Sequence, residues 1–408
     1  MRADSALAAV APASPTNGAA ATVGGVVVGG DFPGLGIVRS LGRRGVPVCV
    51  VDDEQSISRF SRYCTVSVRV PDLRDELRTV EALLEVGERF DLTGWVLFPT
   101  RDEIVAAISR HAGVLAERYR VPVARWEAIR CAWDKRNLYG LAEELGIPVP
   151  RTWRAATQAE IDAVDIEFPV ALKPAIKERF IYETKAKAWR ANTRQELREL
   201  YRKAAAIIDP DEILLQDLIP GDGRYQYAYC SFYKDGRSLG SMTARRRRQH
   251  PPEFGRASTF VETVDMPELE EYSERLLAAL DFYGLAELEY KLDPRDGQFR
   301  LLDFNARAWG YHSLGPSAGV DFPYLLFADQ MGLEVEPCRA RPGVRWIRLM
   351  TDVPTAIVEM RAGRLDLRSY ARTVLGGFDV EAVFSREDPR PGLAEIALLP
   401  HLIKSRGF

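Results

Sequence analysis

The chain has 408 residues and a formal net charge of −3, with 46% hydrophobic and 28% charged residues. This length allows roughly two or three domains, and the composition is ordinary for a globular protein with an ample core. The weak negative charge gives no bulk attraction for nucleic acid, and no apolar run approaches the ~20 residues that cross a bilayer. The five cysteines are scattered without close pairs, which indicates reduced thiols and predicts a cytoplasmic protein.

The first 22 residues predict a tail. They are rich in Ala, Ser, Pro and Thr, and Pro12 and Pro15 interrupt the weak apolar stretch that a signal peptide would need. We therefore expect residues 1–22 to be disordered.

An α/β domain is expected over residues 23–125, because apolar runs and turn signals alternate there as in a βαβ unit. The pattern predicts a strand over 26–30, a loop over 31–36, a helix over 37–44 and strands over 46–51 and 94–98. Thr100 and Glu103 have capping-box spacing for the helix that follows the last of these strands.

The glycines after the first strand do not fit a dinucleotide-binding loop. With Gly29 as the first glycine, Asp31 falls where the second glycine should approach the pyrophosphate. With Gly34 and Gly36 instead, Arg39 takes the place of the third glycine. We expect a Rossmann-like scaffold without NAD, and keep an NAD-dependent oxidoreductase as a weaker alternative.

The middle of the chain is helical over residues 126–150, and it then becomes rich in strands. Strands are predicted over residues 168–174, 212–219, 225–233 and 237–242, and a helix over 267–279. The first of these strands leads directly into Lys173. Residues 333–408 form a C-terminal extension whose sequence gives little functional information.

A hairpin near residue 300 carries the clearest chemical signal. Asp303, Asn305 and Arg307 alternate after a buried apolar run and so share one face of an extended segment. A turn over residues 293–297 can bring Glu289 beside Asp303. Two carboxylates and an amide oxygen suit Mg²⁺, and an arginine two residues on can bind phosphate. The hairpin therefore predicts a site for a metal and a phosphate-bearing nucleotide.

Taken in order, these segments resemble the ATP-grasp superfamily, in its branch of predicted carboxylate–amine ligases. The match covers roughly residues 24–332, and its most specific stretches are RLLDFNARAWG and ARRRRQHPPEFG. The resemblance implies an α/β fold that is α+β in the ATP-binding part, with the Rossmann-like domain followed by an ATP-grasp domain of two sub-domains. The ATP-grasp domain would span 126–332, with a linker helix, a small lid sub-domain over about 150–220 and a large one over about 221–332.

The resemblance also implies roles for individual residues. Lys135, Lys173 and Lys187 would hold the ATP phosphates, with Lys185 as an alternative to Lys187. Gln216, Asp217 and the backbone of Ile219 would form the hinge against the adenine. Glu289, Asp303 and Asn305 would bind Mg²⁺, and Arg307 would neutralise the reacting phosphate. Two departures stand out: Asp303 replaces the more usual glutamate, and the lid stretch 175–189 has no glycine.

The run Arg245–Arg248 has two interpretations. A basic cluster can bind nucleic acid, but no aromatic residue lies among these arginines. If the run ends a strand, Arg246 and Arg248 share one face, and similar proteins use such arginines to hold a carboxylate or acyl phosphate. Thr100, Asp102 and Glu103 are candidates for the amine side, at the end of a strand where α/β folds bind ligands.

The resemblance predicts an ATP- and Mg²⁺-dependent ligase that joins a carboxylate to an amine through an acyl phosphate. The alternatives are another ATP-grasp phosphotransfer or carboxylation activity, and a nucleotide-binding protein that has lost turnover. The expected partners are small-molecule carboxylate and amine substrates, without nucleic acid or membrane. A homodimer is left open.

Overall fold

The computed structural model describes the backbone of residues 9–10 and 22–406. Most of the predicted tail, residues 1–22, lies outside the described residues. Among the residues that the structure describes, no helix is long and apolar enough to cross a membrane. Three sheets organise the described part of the chain, with five, four and eight strands.

The N-terminal sheet has the strand order β1-β4-β3-β2-β5. Its strands are β1 (Ala9–Val10), β2 (Gly25–Val28), β3 (Val48–Asp52), β4 (Val66–Arg69) and β5 (Val96–Pro99). Its helices are α1 (Phe32–Gly42), α2 (Glu76–Arg89), α3 (Asp102–Arg110) and α4 (Ala112–Ala116), and a 3-10 turn spans Ser58–Phe60. Strands β2 to β5 pair in parallel, as the βαβ pattern predicted, and β1 pairs antiparallel to β4.

Helix α1 begins at Phe32, so the loop predicted over residues 31–36 is wrong. Pro33 lies in the first turn, where its fixed φ favours a helix and its missing N–H costs nothing. Gly36 lies inside α1, where a larger residue would not fit because a Cβ would come within 2.6 Å of His312. The glycines of this segment therefore pack a helix and form no loop around a pyrophosphate.

Two linker helices lead into a small antiparallel sheet of order β6-β9-β7-β8. These elements are α5 (Trp126–Trp133), α6 (Lys135–Glu144), β6 (Thr152–Arg154), α7 (Gln158–Ala163), β7 (Val170–Pro174), α8 (Glu178–Thr184), β8 (Trp189–Ala191), α9 (Arg194–Ala205), a 3-10 turn (Pro210–Glu212) and β9 (Ile213–Asp217). The glycine-free stretch 175–189 contains α8, whose Phe180 is fully buried. Part of the stretch is therefore a helix that packs through Phe180.

The large sheet has the order β14-β13-β10-β11-β12-β16-β17, and β15 pairs with β11. Its strands are β10 (Gln226–Lys234), β11 (Arg237–His250), β12 (Ala257–Val264), β13 (Gly284–Leu292), β14 (Phe299–Asn305), β15 (Cys338–Arg339), β16 (Arg345–Ile347) and β17 (Val380–Glu381). The helices around it are α10 (Pro267–Ala279), α11 (Gly315–Ala318), α12 (Phe322–Gln330), α13 (Leu349–Arg361), α14 (Leu367–Leu375) and α15 (Arg390–Arg406), with 3-10 turns at Gly223–Tyr225 and His312–Leu314.

The C-terminal extension is integrated into the rest of the fold. It supplies β15, β16 and β17 to the large sheet. Its Asp388 is buried and accepts hydrogen bonds from Arg39 of α1, at 3.0 Å, and from the Ser61 hydroxyl, at 2.7 Å. One apolar core accordingly includes residues of the N-terminal sheet, the large sheet and the extension.

Candidate active site

The hairpin of β13 and β14 sets the centre of the site. The two strands are antiparallel, with Glu289 directly opposite Asp303 and Glu287 opposite Asn305. The predicted approach of Glu289 to Asp303 is therefore confirmed. Residues facing each other across an antiparallel pair have Cβ atoms about 5 Å apart, close enough for two carboxylates to share one cation.

Asp303 is surrounded by ammonium groups. Its Oδ1 accepts a hydrogen bond from Lys135 Nζ at 2.7 Å, and its Oδ2 lies 4.0 Å from Lys177 Nζ. Burial opposes ionisation, but the ammonium groups of Lys135, Lys177 and Lys187 hold the pKa of Asp303 well below its ordinary value. The carboxylate is therefore charged and able to bind a metal at neutral pH.

Lys135 and Lys173 approach the cleft from the linker helix and the small sheet. Asp134 caps α6 by accepting from the Arg136 N–H, and the Lys135 N–H donates to the Ala175 carbonyl just beyond β7. Lys173 Nζ donates to the Tyr139 hydroxyl at 2.6 Å. Burial, and then the charge of Lys135, lower the pKa of Lys173 well below its ordinary value. An anion beside Lys173 would favour its charged form.

A cleft of about 1020 Å³ runs between the small and large sheets. The predicted site residues that line it are Lys135, Lys173, Lys187, Gln216, Asp217, Ile219, Glu289 and Asp303. The same cleft therefore holds the predicted phosphate, hinge and metal residues, at a volume near the upper end for small-molecule sites.

The hinge lies where β9 ends and the chain passes to the large sheet. Gln216 is buried and donates through Nε2 to the Thr152 hydroxyl at 2.9 Å. Beyond it, the carbonyls of Ile219 and Gly221 accept from Lys291 Nζ at 2.7 and 2.8 Å. Burial lowers the pKa of Lys291 to about 8. Sequence reasoning missed Lys291, although its position two residues after Glu289 places it on the same strand face.

Two further lysines come from the segment around α8. Lys187 lines the cleft, and burial lowers its pKa while Glu289 and Asp303 oppose that shift. Lys185 ends α8 in a left-handed conformation and is exposed. Lys177, which precedes α8 and which the sequence interpretation did not select, also lines the cleft. Its Nζ lies 2.9 Å from Asp102 Oδ2.

The two arginines chosen from the basic run have different environments. Arg246 Nη2 lies 3.3 Å from Glu289 Oε2, and Arg246 Nη1 donates to Gln226 Oε1 at 2.7 Å. Arg248 instead forms two hydrogen bonds to the fully buried Asp352 of α13, at 2.8 and 2.7 Å. The prediction that Arg246 and Arg248 share a face is wrong, because the register shifts between them.

Arg307 and the start of α3 meet at the far end of the hairpin. Arg307 makes a bidentate ion pair with Asp102, with both nitrogen–oxygen distances at 2.9 Å. The predicted capping box is absent: Arg101 is the N-cap of α3, and the Thr100 hydroxyl donates to the Val28 and Gly29 carbonyls. Glu103 accepts from the Tyr182 hydroxyl of α8 at 2.5 Å.

The side chains of the hairpin fit a Mg²⁺ ion that is completed by other ligands. Among the described residues, no group of three or more His, Cys, Asp and Glu side chains could hold a metal by itself. Asn305 turns its amide nitrogen to Glu287 and Glu289, at 3.0 and 3.3 Å, and its oxygen to Lys177 and Arg307. Glu289 and Asp303 are thus the side chains that would hold Mg²⁺, an ion that usually takes one or two carboxylates together with water and phosphate oxygens.

Several known proteins are similar to this chain. No protein-family model matches it. It is 24% identical over 302 residues to D-aspartate ligase from Enterococcus faecium (strain Aus0004), covering 69% of this chain and 70% of that one. The L-amino acid ligase from Bacillus licheniformis superposes with a TM-score of 0.60 at 17% identity, covering 79% and 78% of the two chains. The N5-carboxyaminoimidazole synthetase from Staphylococcus aureus, complexed with ADP, gives a TM-score of 0.62 at 15% identity, covering 79% and 80%. The chain therefore has the fold of these solved proteins, that of the ATP-grasp superfamily.

The resemblance drawn from the order of the motifs is therefore confirmed, and so is the mixed α/β fold class. The ATP-grasp fold explains why two sheets enclose the cleft, with the hinge on one side and the hairpin on the other. Because the identity to the solved structures is low, the comparisons support the fold alone. The roles of individual residues are argued from the geometry of the site.

Proposed function

We propose that this ATP-grasp protein is an ATP- and Mg²⁺-dependent ligase that joins a carboxylate to an amine through an acyl phosphate and releases ADP and phosphate. The observation that carries the proposal is the register of the hairpin. It places Glu289 opposite Asp303 at the floor of a cleft lined by Lys135, Lys173 and Lys187. The names of the ligase relatives support the same reaction class.

ATP would bind with its base against the hinge and its phosphates over the lysines. Gln216, Asp217 and Ile219 line the cleft at the hinge, and Asp303 lines it at the hairpin. The buried ammonium groups of Lys135 and Lys173 are point charges suited to phosphate oxygens. They would orient the triphosphate so that its γ-phosphoryl group lies near the hairpin.

Mg²⁺ held by Glu289 and Asp303 would draw charge from the phosphate oxygens during phosphoryl transfer. The carboxylate substrate attacks the γ-phosphorus, the bond to the ADP oxygen breaks, and an acyl phosphate forms. Arg246 lies beside Glu289 and can pair with the carboxylate or the acyl phosphate. Such preorganised cations stabilise developing charge without needing to reorganise.

The amine nitrogen then attacks the carbonyl carbon of the acyl phosphate. A C–N bond forms, the C–O bond to phosphate breaks, and phosphate leaves with the electron pair while the amine nitrogen loses a proton to the departing phosphate or to water. This route requires no protein nucleophile, since positioning and electrostatics lower the barrier. Arg248 has no part in it, because its guanidinium is held by Asp352.

The relatives suggest amino acids as substrates. The test incubates the chain with Mg·ATP and single or paired D- and L-amino acids, D-aspartate among them, with peptides and amino sugars in further wells. ADP formation and product mass are measured together. ADP with an amide product supports the ligase. ADP with bicarbonate alone, or with a phosphorylated product, indicates a carboxylating or phosphotransfer activity.

Two controls address the remaining alternatives. Tight Mg·ATP binding without ADP formation in any well would indicate a nucleotide-binding protein without turnover. NADH binding would support the alternative that the protein is an NAD-dependent oxidoreductase. We further propose that the enzyme acts in the cytoplasm, which localisation of a tagged chain would test. We also propose that it forms a homodimer, which light scattering would test.

A further inference from the structure

The N-terminal domain reaches the reaction centre through one side chain. Asp102 lies in the first turn of α3 and contacts two cations that belong to other parts of the chain. Its Oδ1 accepts from Arg307 Nε at 2.9 Å, and its Oδ2 accepts from Arg307 Nη2 at 2.9 Å. Its Oδ2 also lies 2.9 Å from Lys177 Nζ.

These contacts use both carboxylate oxygens of Asp102. The sequence interpretation offered Asp102 as a group that meets the amine substrate, but an ammonium group would have to displace Arg307 or Lys177. Both cations also reach the metal hairpin, because each donates to Asn305 Oδ1 at 3.2 Å. Asp102 therefore fixes two cations that converge on one hairpin oxygen.

We propose that Asp102 is a positioning residue, which holds Arg307 and Lys177 in the orientation that phosphoryl transfer requires. The proposal rests on the ligase function given above. It makes the N-terminal domain part of the catalytic machinery, since Asp102 completes the charge arrangement around the hairpin. A bidentate carboxylate fixes the plane of a guanidinium as well as its place, which a single contact does not.

The neighbouring residue, Glu103, links this arrangement to the segment around α8. Glu103 accepts from the Tyr182 hydroxyl of α8, and Lys177 immediately precedes α8. One turn of α3 therefore binds that segment at two points. The contact between α8 and α3 therefore places Lys177 against the same carboxylate that pairs with Arg307.

The test compares Asp102→Asn, Arg307→Ala and the double variant in the ADP assay. Asp102→Asn keeps the volume and removes the charge, so kcat should fall by about 10- to 100-fold, as for other residues that orient a catalytic group. The KM for ATP should change less than about threefold, because that substitution touches no hinge residue. The kcat of the double variant should be no lower than that of Arg307→Ala alone, because both substitutions remove the same Asp102–Arg307 interaction. Asp102→Glu should recover part of kcat.

Asp321→Asn is the matched control. Asp321 also joins the N-terminal domain to the large sheet through an arginine, Arg44, at 2.5 Å, and it does not line the cleft. Its kcat should equal that of the unaltered chain. An unchanged kcat for Asp102→Asn, additive losses in the double variant, or a rise confined to the KM for the amine would each overturn the positioning role.

A readout without turnover separates this proposal from the ligase function. The Nε–H of Arg307 is enclosed by Asp102, so its proton should exchange slowly and give a resolved NMR signal that disappears in Arg307→Lys. Asp102→Asn should shift or broaden that signal, with circular dichroism confirming the fold. Absence of ADP formation in the unaltered chain would reject the ligase, whereas an unmoved Arg307 signal would reject the role of Asp102. If Asp102→Asn does not fold, Asp102→Glu, whose longer side chain displaces the carboxylate, should still shift the Arg307 signal, and an unmoved signal in that variant would reject the role of Asp102.

Discussion

Replacing Asp303 by Asn tests the metal hairpin most directly. The substitution keeps the shape of the side chain but removes one of two facing carboxylates and the 2.7 Å ion pair with Lys135. Both members of that pair are about nine-tenths buried, with 10% and 8% of their side chains exposed, so solvent screens little of the loss. Removing one preorganised electrostatic group from a reaction centre costs about 3–4 kcal/mol, which corresponds to a fall in kcat of about 10²- to 10³-fold.

The assay is ADP release at saturating ATP, repeated over a titration of Mg²⁺. Glu262→Gln is the matched control, because Glu262 is also a strand carboxylate of the large sheet but pairs with Arg247 and Arg345 away from the cleft. Asp303→Asn should need more Mg²⁺ and remain slow even when saturated, while Glu262→Gln should behave as the unaltered chain. A kcat for Asp303→Asn within fivefold of the unaltered chain would refute the metal assignment.

Three further outcomes are expected. ATP binding should take up protons, because burial lowers the pKa of Lys173 and the phosphates raise it again. The affinity for ATP should therefore weaken as the pH rises. Calorimetry in two buffers measures this proton uptake, most of which should be lost in Lys173→Met. Arg248→Ala should leave kcat unchanged but destabilise the fold by about 3–5 kcal/mol in denaturant unfolding, since it leaves Asp352 buried and unpaired; a lost kcat in folded protein would contradict this. Lys291→Met should raise the KM for ATP more than it lowers kcat, because it frees the Ile219 and Gly221 carbonyls of the hinge; an unchanged KM would count against that role.

The parts of the site that could be predicted are local in sequence. Glu289 and Asp303 are fourteen residues apart and are joined by one turn, so strand alternation and turn chemistry were enough to pair them. Lys173 lies in β7 at the end of an apolar run, and that run leading directly into a lysine was the signal for it. In both cases the deciding interactions lie within one element or one hairpin.

The failures come from contacts that no local pattern encodes. Arg248 was assigned to the substrate because alternation puts it beside Arg246, but a bulge turns it towards Asp352, 104 residues away. Thr100 was expected to cap a helix, but its hydroxyl donates a hydrogen bond to the Val28 carbonyl of the neighbouring strand β2. In both cases a contact with a residue distant in sequence fixes the orientation of the side chain. The single sequence contains no signal for that contact.

Charge balance explains why such a distant partner is needed at the reaction centre. Lys135, Lys177, Lys187, Arg246 and Arg307 all approach the hairpin, and a set of buried cations without counter-charges would be strongly destabilising. The hairpin carboxylates neutralise some of these cations, but they must also remain free to bind Mg²⁺. Asp102 lies 205 residues before Arg307 in the chain. It supplies a negative charge that is not needed to bind Mg²⁺. If Asp102 has the positioning role proposed above, the N-terminal domain contributes to the electrostatics of the cleft through this one carboxylate.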